Sequence, residues 1–318
     1  NIVPWNKLIR REIIMENNVR FDEISSSDDL TFSVMCAAVA RKIAVMNQPL
    51  LYYRLGHSGT ITSTMRYKLF NVKLALESVE RQIKALPYAE KIKLALYYLI
   101  IENYCFIFSN YTYDFETQQA EDYYNFIHRR FLDDELGSLT SEDIGNMRIY
   151  VMYESIKKHS YEEMLKLRSR DITVTLTSYP ARISYVHSVI ENIAAQSLKP
   201  TRVLLWLSKP QFPNGEEDLP QNLLDCVNRG EVQIRWCDED LRSHKKYFYT
   251  MQEYPDDIVI TVDDDLVYPS DMIFNLYQSY LAFPDCVSGM RVHVIGADRK
   301  NKKIIDYSKW LKQYDREI

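Results

Sequence analysis

Apolar positions along the 318-residue chain follow two rhythms. Toward the end, short strand-like runs recur: Ile172-Thr173-Val174-Thr175-Leu176, Arg202-Val203-Leu204-Leu205-Trp206-Leu207, residues 232–236, and the β-branched Ile258-Val259-Ile260-Thr261-Val262. Each has the length and polar flanks of a buried strand. A helix is predicted over residues 183–196, and Arg242-Ser243-His244-Lys245-Lys246-Tyr247 opens another ahead of the fourth strand. Strands alternating with helices are the sequence form of a parallel, doubly wound sheet. Before this, over residues 66–168, glycine and proline nearly vanish, and Leu69, Val72, Leu76, Val79 and Ile83 recur at helical spacing. Further helices are predicted over 90–110, 116–132 and 141–167. Residues 1–65 are mixed: a short helix within 5–17, a cap-like cluster Ser25-Ser26-Ser27-Asp28-Asp29, an apolar helix over 30–40, strand-like 42–46 and 49–53, and a loop at 56–60. The fold class expected is α/β, with a mostly parallel, Rossmann-like sheet in 169–318, a helical middle in 66–168 and a small α/β piece in 1–65. Tyr97, Tyr98, Tyr104, Tyr123 and Tyr124 read as core and rim packing of the helical middle, with an aromatic carbohydrate platform as the alternative.

Composition narrows the function. The formal net charge of -5 argues against nonspecific binding to nucleic acid. Only 8 glycines are present, and neither a Walker-type nor a GxGxxG loop occurs. Cys36, Cys105, Cys226, Cys237 and Cys286 are scattered, with no CxxC pair, so they read as reduced thiols of a cytoplasmic protein, not a zinc site or disulfide frame. No uninterrupted apolar run is long enough to span a bilayer. The opening Asn1-Ile2-Val3-Pro4 carries no leader pattern and reads as the interior of a longer polypeptide.

The most informative feature closes the fourth strand. Val262-Asp263-Asp264-Asp265 places three carboxylates where an apolar run emerges. Like charges repel there, and each loses hydration near a core. Hard oxygen donors suit Mg²⁺ or Mn²⁺, and such an ion bridges to a diphosphate. The competing reading is a solvated acidic turn, helped by Pro269 and Ser270. A basic counterpart, Arg242 through Tyr247, lies one step upstream, with Arg182 after the first strand. Diphosphates need cationic partners and backbone donors of this kind, although Lys245 and Lys246 also suit a solvated face. In a parallel sheet, Thr177, Ser178, Ser208, Asp238 and the aspartate run all fall at the carboxyl ends of strands, where ligands bind. Asp238-Glu239-Asp240 suits either the base or ribose of a nucleotide or a helix cap.

These residues carry a resemblance. Thr177-Ser178-Tyr179-Pro180-Ala181-Arg182, Leu205-Trp206-Leu207-Ser208, Asp238 through Tyr247 and Thr261-Val262-Asp263-Asp264-Asp265, in that order, resemble bacterial nucleotide-sugar glycosyltransferases of the GT-A fold, family 2-like enzymes of capsule and surface-polysaccharide synthesis. The resemblance covers about residues 171–295. It implies that Asp263 and Asp265 hold a divalent metal (Mn²⁺ or Mg²⁺) against a UDP-sugar. Thr177, Ser178, Arg182, Ser208, Asp238 and Asp264 would then face the nucleotide sugar, and Lys245 the phosphates. The first region is similar to the acceptor-side end of such an enzyme, in Pro4-Trp5-Asn6-Lys7-Leu8, Arg20-Phe21-Asp22-Glu23, Ser27-Asp28-Asp29-Leu30-Thr31-Phe32 and Pro49-Leu50-Leu51-Tyr52-Tyr53-Arg54. It implies that Asp28 and Asp29 are the catalytic acidic pair, Asp29 being the base. Read from the residues alone, the pair is an N-cap and a first-turn acid on the following helix. His57 falls in a loop with reach toward a metal or phosphate.

The two halves stand in reverse order for one GT-A domain. The expectation is a window on a tandem enzyme: residues 1–65 end one catalytic domain, 66–168 link, and 169–318 begin a second. The alternative is one permuted site. The implied reaction moves a sugar from a UDP-sugar to a saccharide or lipid-linked acceptor, with inversion, in the cytoplasm or at the inner face of the membrane. Two other classes remain open: a metal-binding scaffold protein and a metal-dependent nucleotidyltransferase.

Overall fold

The computed structural model describes residues 6–46, 69–111, 116–133, 135–291, 293–298 and 300–312. The chain divides into two compact units, Asn1–Leu165 and Lys166–Ile318. Residues 1–65 and all but the last three of 66–168, expected as separate regions, fall within the first unit.

The first unit is helical: α1 (Arg11–Glu16), α2 (Asp28–Val39), α3 (Leu69–Lys84), α4 (Ala89–Tyr111), α5 (Gln118–Asp133), α6 (Ser141–Ile144), α7 (Met147–Lys158) and α8 (Tyr161–Arg168), the last crossing the division. The 3.6-residue spacing in α3 does what it predicts, because Val72, Leu76, Val79 and Ile83 are all buried. Residues 141–167 form three helices instead of one. Gly145 ends α6 at φ +64°, a conformation without penalty for glycine, and Asn146 then caps α7 by accepting from the Arg148 and Ile149 amides. Residues 42–46 are irregular and pair with no strand among the described residues, so they do not form the strand expected there; their apolar side chains Ile43, Val45 and Met46 are exposed. The expected strand at 49–53 and His57 lie outside the described residues. Asp22 joins the N-terminal piece to the helices, accepting from Thr31 Oγ1 and, at 2.9 Å, from Ser78 Oγ on α3.

Tyr104, Tyr123 and Tyr124 are buried among Phe131, Ile127, Ile100 and Ile101. Tyr124 donates to the His159 carbonyl at 2.7 Å, and the neighbouring core tyrosine Tyr153 donates to that of Leu136 at 2.7 Å. These rings are core, which leaves none of those buried faces as a carbohydrate platform.

The second unit is built on a four-stranded, all-parallel sheet: β1 (Ile172–Thr177), β2 (Arg202–Ser208), β3 (Gln233–Cys237) and β4 (Ile258–Thr261), in the order β3-β2-β1-β4. The helices are α9 (Val186–Ala194), α10 (Gln221–Asn228), α11 (Lys245–Glu253) and α12 (Met272–Ala282). Alternation along the strands sends Val174, Leu176, Val203, Leu205, Leu207, Ile260 and Val262 to one face, packed with Val189, Ile190 and Ile193 of α9, Leu223 of α10 and Ile273 of α12. The opposite face carries Thr173, Thr175, Leu204 and Trp206, with Tyr249 of α11 packed on it. Helices on both faces explain why β1 and β2 are short and buried almost throughout. Small two-stranded ribbons follow: β5 (His293–Val294) with β8 (Leu311–Lys312), and β6 (Ala297–Asp298) with β7 (Lys303–Ile304). Among the described residues, no helix is long and apolar enough to cross a membrane. Cys36, Cys105, Cys226 and Cys237 are buried free thiols, and Cys286 is an exposed one.

Candidate functional site

Strand order decides where a ligand fits. From β1 the chain builds outward through β2 to β3, then crosses back to lay β4 on the other side of β1. The direction of winding thus reverses between β1 and β4, and in open parallel sheets ligands bind beyond the carboxyl ends at that reversal. The segments leaving those two strands are the Thr177-Ser178 end with its following turn and the Asp263-Asp264-Asp265 run.

The in–out alternation of β4 continues into the aspartates. Ile260 and Val262 are buried, and Asp264 keeps their side, with its side chain only 9% exposed. Asp263 and Asp265 take the outer side, 60% and 48% exposed. This period of two places the first and third carboxylates together and the middle one inward. Asp264 accepts from Ser178 Oγ at 2.7 Å and from Arg182 Nη1 at 3.0 Å. The same guanidinium nitrogen donates to Asp265 at 2.7 Å. Arg182 stands in a turn closed by its own amide and that of Ile183 on the Tyr179 carbonyl, and its guanidinium lies 5.6 Å from the Tyr179 ring centre. The hydrogen bond to Asp264 and the charges of Asp265 and Asp264 hold Arg182 above its ordinary value.

Lys246 reaches the run from the other side. Its ammonium donates to Asp263 Oδ1 at 2.6 Å and to the Val262 carbonyl at 3.1 Å. The sheet fixes its backbone: Thr175 of β1 and Thr250 of α11 both donate to the Lys246 carbonyl, at 2.7 and 2.6 Å, and Trp206 Nε1 donates to Thr250 Oγ1 at 2.8 Å. Tyr268 supports the run from behind by accepting the Asp263 amide on its phenolic oxygen at 2.8 Å. Burial pushes the Tyr268 phenol up, so it remains a neutral hydroxyl. The loop after the aspartates is bracketed by α9 and the segment that follows it: Asn192 Oδ1 accepts the Tyr268 amide, Asn192 Nδ2 donates to its carbonyl, and Gln196, just past α9, donates to the Pro269 carbonyl.

The remaining expected residues spread along the sheet edge. Thr177 donates to the Trp206 carbonyl at 2.8 Å. Ser208 is fully buried at the end of β2, with no hydrogen-bond partner for its hydroxyl. Asp238 is exposed and pairs with Lys209 at 2.7 Å, a surface contact of little energetic weight. Lys245 does not reach the aspartate run. It is 2% exposed and donates to Asp240 at 2.8 Å and to Gln211 at 3.4 Å, holding the Asp240 carboxyl below its ordinary value. Of the two adjacent lysines, Lys246 is the one at the acids. The helical spacing did not separate the two lysines, because each has a partner four residues on, Tyr249 for Lys245 and Thr250 for Lys246. Tyr268 and Asn192 carried no comparable motif.

The acidic pair Asp28/Asp29 belongs to the other unit. Ser27, at φ +61°, is the cap position, so Asp28 and Asp29 are the first two helical residues and neither is the N-cap. The Ser27 hydroxyl caps nothing and is buried without a partner. A non-glycine residue in the left-handed region stores backbone strain directly ahead of the acids. Burial, then the charge of Asp28, pushes the Asp29 carboxyl up, and Lys7 opposes this.

Asp263 and Asp265 fit a divalent ion as hard oxygen donors on one accessible face, since Mg²⁺-type sites need only one or two carboxylates alongside substrate phosphates. Each is already paired with a cation, Asp263 with Lys246 and Asp265 with Arg182. Among the described residues, the group of three donors lying within 4.8 Å is Glu191, Cys226 and Glu231. That group already surrounds a cation, because Arg229 pairs with Glu191 and Glu231 at 2.9 and 2.8 Å and donates to Cys226 Sγ at 3.2 Å. Burial pushes the Cys226 thiol up to about 11, which disfavours the thiolate a metal would need. Comparison with family models, with curated proteins and with solved structures found no match to this chain.

Proposed function

We propose that the second unit is the donor-binding part of a metal-dependent glycosyltransferase of the GT-A type, taking a UDP-sugar. The observation that supports this best is the meeting of two strand ends at the winding reversal: Ser178 and Arg182 after β1 contact Asp264 and Asp265 after β4, with Lys246 at Asp263. Carboxylates and cations in one crevice at that point suit a metal diphosphate. A divalent ion on Asp263 and Asp265 would supply charge neutralisation for the departing UDP. Arg182 and Lys246 would bind phosphate oxygens, while Asp264 keeps the Arg182 turn docked.

In the same reading, the first unit is the acceptor-side end of a first catalytic domain, separate from the donor site of the second unit. There Asp29, with its raised carboxyl, would take the proton from an acceptor hydroxyl as that oxygen attacks the anomeric carbon and the nucleotide departs, and Asp28 would keep it basic by proximity. The acceptor is a saccharide or lipid-linked saccharide, the outcome is inversion, and the setting is surface-polysaccharide synthesis at the cytoplasmic side of the membrane.

Calorimetric titration of UDP with and without Mn²⁺, beside an Asp263→Ala/Asp265→Ala variant, tests the donor site. Mn²⁺-dependent UDP binding that the variant loses supports it. Preference for a triphosphate over UDP-sugar, or binding untouched by the variant, overturns it in favour of a nucleotidyltransferase or another site.

A further inference from the structure

Three carboxylates in sequence face two cations, and every one of the three is engaged. Lys246 holds Asp263, while one nitrogen of Arg182 bridges Asp264 and Asp265. The two cations arrive from different elements, Arg182 from the turn after β1 and Lys246 from the first turn of α11. They approach Asp263 and Asp265, the two outward acids, which are the ones with access to a solvated ion. Both are equipped to let go. Lys246 keeps the Val262 carbonyl when Asp263 leaves, and Arg182 is 43% exposed, with Tyr179 beneath it. A metal ion arriving alone must compete with internal cations already in contact with its ligands. An anionic phosphate arriving alone must compete with the carboxylates for the same two cations. Arriving together, each offers the other's partner a replacement.

We infer that Arg182 and Lys246 are exchangeable internal counter-ions that mask Asp263 and Asp265, and that transfer of the two cations from the carboxylates to a diphosphate opens the acids to a divalent ion. This rests on the donor-site reading for the identity of the ligand, but the exchange itself requires only a divalent cation and a diphosphate. It makes binding of the two mutually dependent, and by linkage each raises the affinity of the other by one common factor.

The test uses the full chain and three probes: Mn²⁺ alone, inorganic pyrophosphate and UDP. Mn²⁺ binding is read by calorimetry and by the electron paramagnetic resonance signal of free Mn²⁺. Wild type is expected to bind Mn²⁺ alone weakly, and pyrophosphate is expected to tighten it on the order of 5- to 150-fold, the usual range of site-to-site coupling. Arg182→Gln and Lys246→Gln, alone and combined, are expected to bind Mn²⁺ alone on the order of tenfold more tightly than wild type while losing the pyrophosphate coupling. Adding Asp263→Asn and Asp265→Asn is expected to remove the gain. Circular dichroism and thermal melts check folding, and Arg182→Lys serves as the second variant, keeping the charge and hence the masking. Unchanged or weaker Mn²⁺ affinity in folded Gln variants overturns the masking, as does tight Mn²⁺ binding by wild type without any anion. Coupling to pyrophosphate but not to UDP leaves the exchange standing and overturns the nucleotide-sugar reading instead.

Discussion

The phenolic oxygen of Tyr268 accepts the backbone N–H of Asp263 at 2.8 Å, and Asn192 of α9 holds Tyr268 through both of its main-chain groups. The first aspartate of the run is therefore aimed by a residue five positions later, which is itself fixed from the neighbouring helix. Tyr268→Phe removes this acceptor and little else. It is expected to weaken Mn²⁺-dependent UDP binding by about 10-fold or more, as removal of supporting contacts does at metal sites. Calorimetry at matched temperature checks this, and an unaltered affinity would show that Asp263 needs no support.

The three aspartates are expected to separate into two kinds. Asp264→Ala strips a buried carboxylate and leaves the buried Ser178 hydroxyl without its acceptor, at a cost of about 1–3 kcal/mol. Asp263→Ala and Asp265→Ala, at exposed positions, should stay within about 0.5 kcal/mol of wild type while abolishing metal binding. Urea unfolding followed by tryptophan fluorescence reports on this unit, because Trp206, Trp236 and Trp310 all lie in it.

The adjacent lysines should behave oppositely. Lys245→Met removes the buried partner of the partly exposed Asp240 and is expected to cost about 1.5–3 kcal/mol, with UDP binding retained in the folded fraction. Lys246→Met is expected to leave stability nearly unchanged and remove the metal–diphosphate coupling. Melting curves and titrations of the two variants side by side distinguish them.

Two carboxyls give opposite pH signatures. Asp29 has a folded-state value above its unfolded one, so its ionised form opposes folding at neutral pH, and that cost disappears as pH falls through the folded value toward the unfolded one. Asp29→Asn is thus expected to raise the melting temperature at pH 7, with the gain fading on acidification. Asp240 is held low, first by its hydrogen bond from Lys245, so its contribution is present above the unfolded value and is lost as pH falls through the folded one. Asp240→Asn should lower the melting temperature at pH 7, and the difference should close only in more acidic solution. Melts at pH 3, 5 and 7 decide both.

Much of the second unit was legible before any coordinates. Four short runs became four parallel strands, and β1 and β2 were plainest because a strand covered on both faces shows its apolar run directly in the residues. Lys42 to Met46 misled for the converse reason: a brief apolar alternation with no pairing strand among the described residues has nothing there to satisfy its backbone as sheet. The break of residues 141–167 into three helices turned on Gly145 and Asn146 at the first joint and on Ser160 at the second, where it exchanges hydrogen bonds with Glu163, local signals that the longer apolar rhythm outweighed.

By itself, then, the residue order determined the α/β class of the second unit, the helical character of residues 66–168 and the emergence of three acids at a strand end. These are consequences of side-chain period and backbone preference, which are properties of neighbours in sequence. The tertiary structure alone decided which groups meet. Asp264 turns inward to Ser178, 86 positions away, and Arg182 lies 83 positions from Asp265. Lys246 displaces Lys245 at the acids because Thr175 of β1 grips its carbonyl. Such partners are chosen by strand order and by which helix face packs on the sheet, and a buried charge settles wherever the fold offers it an opposite one.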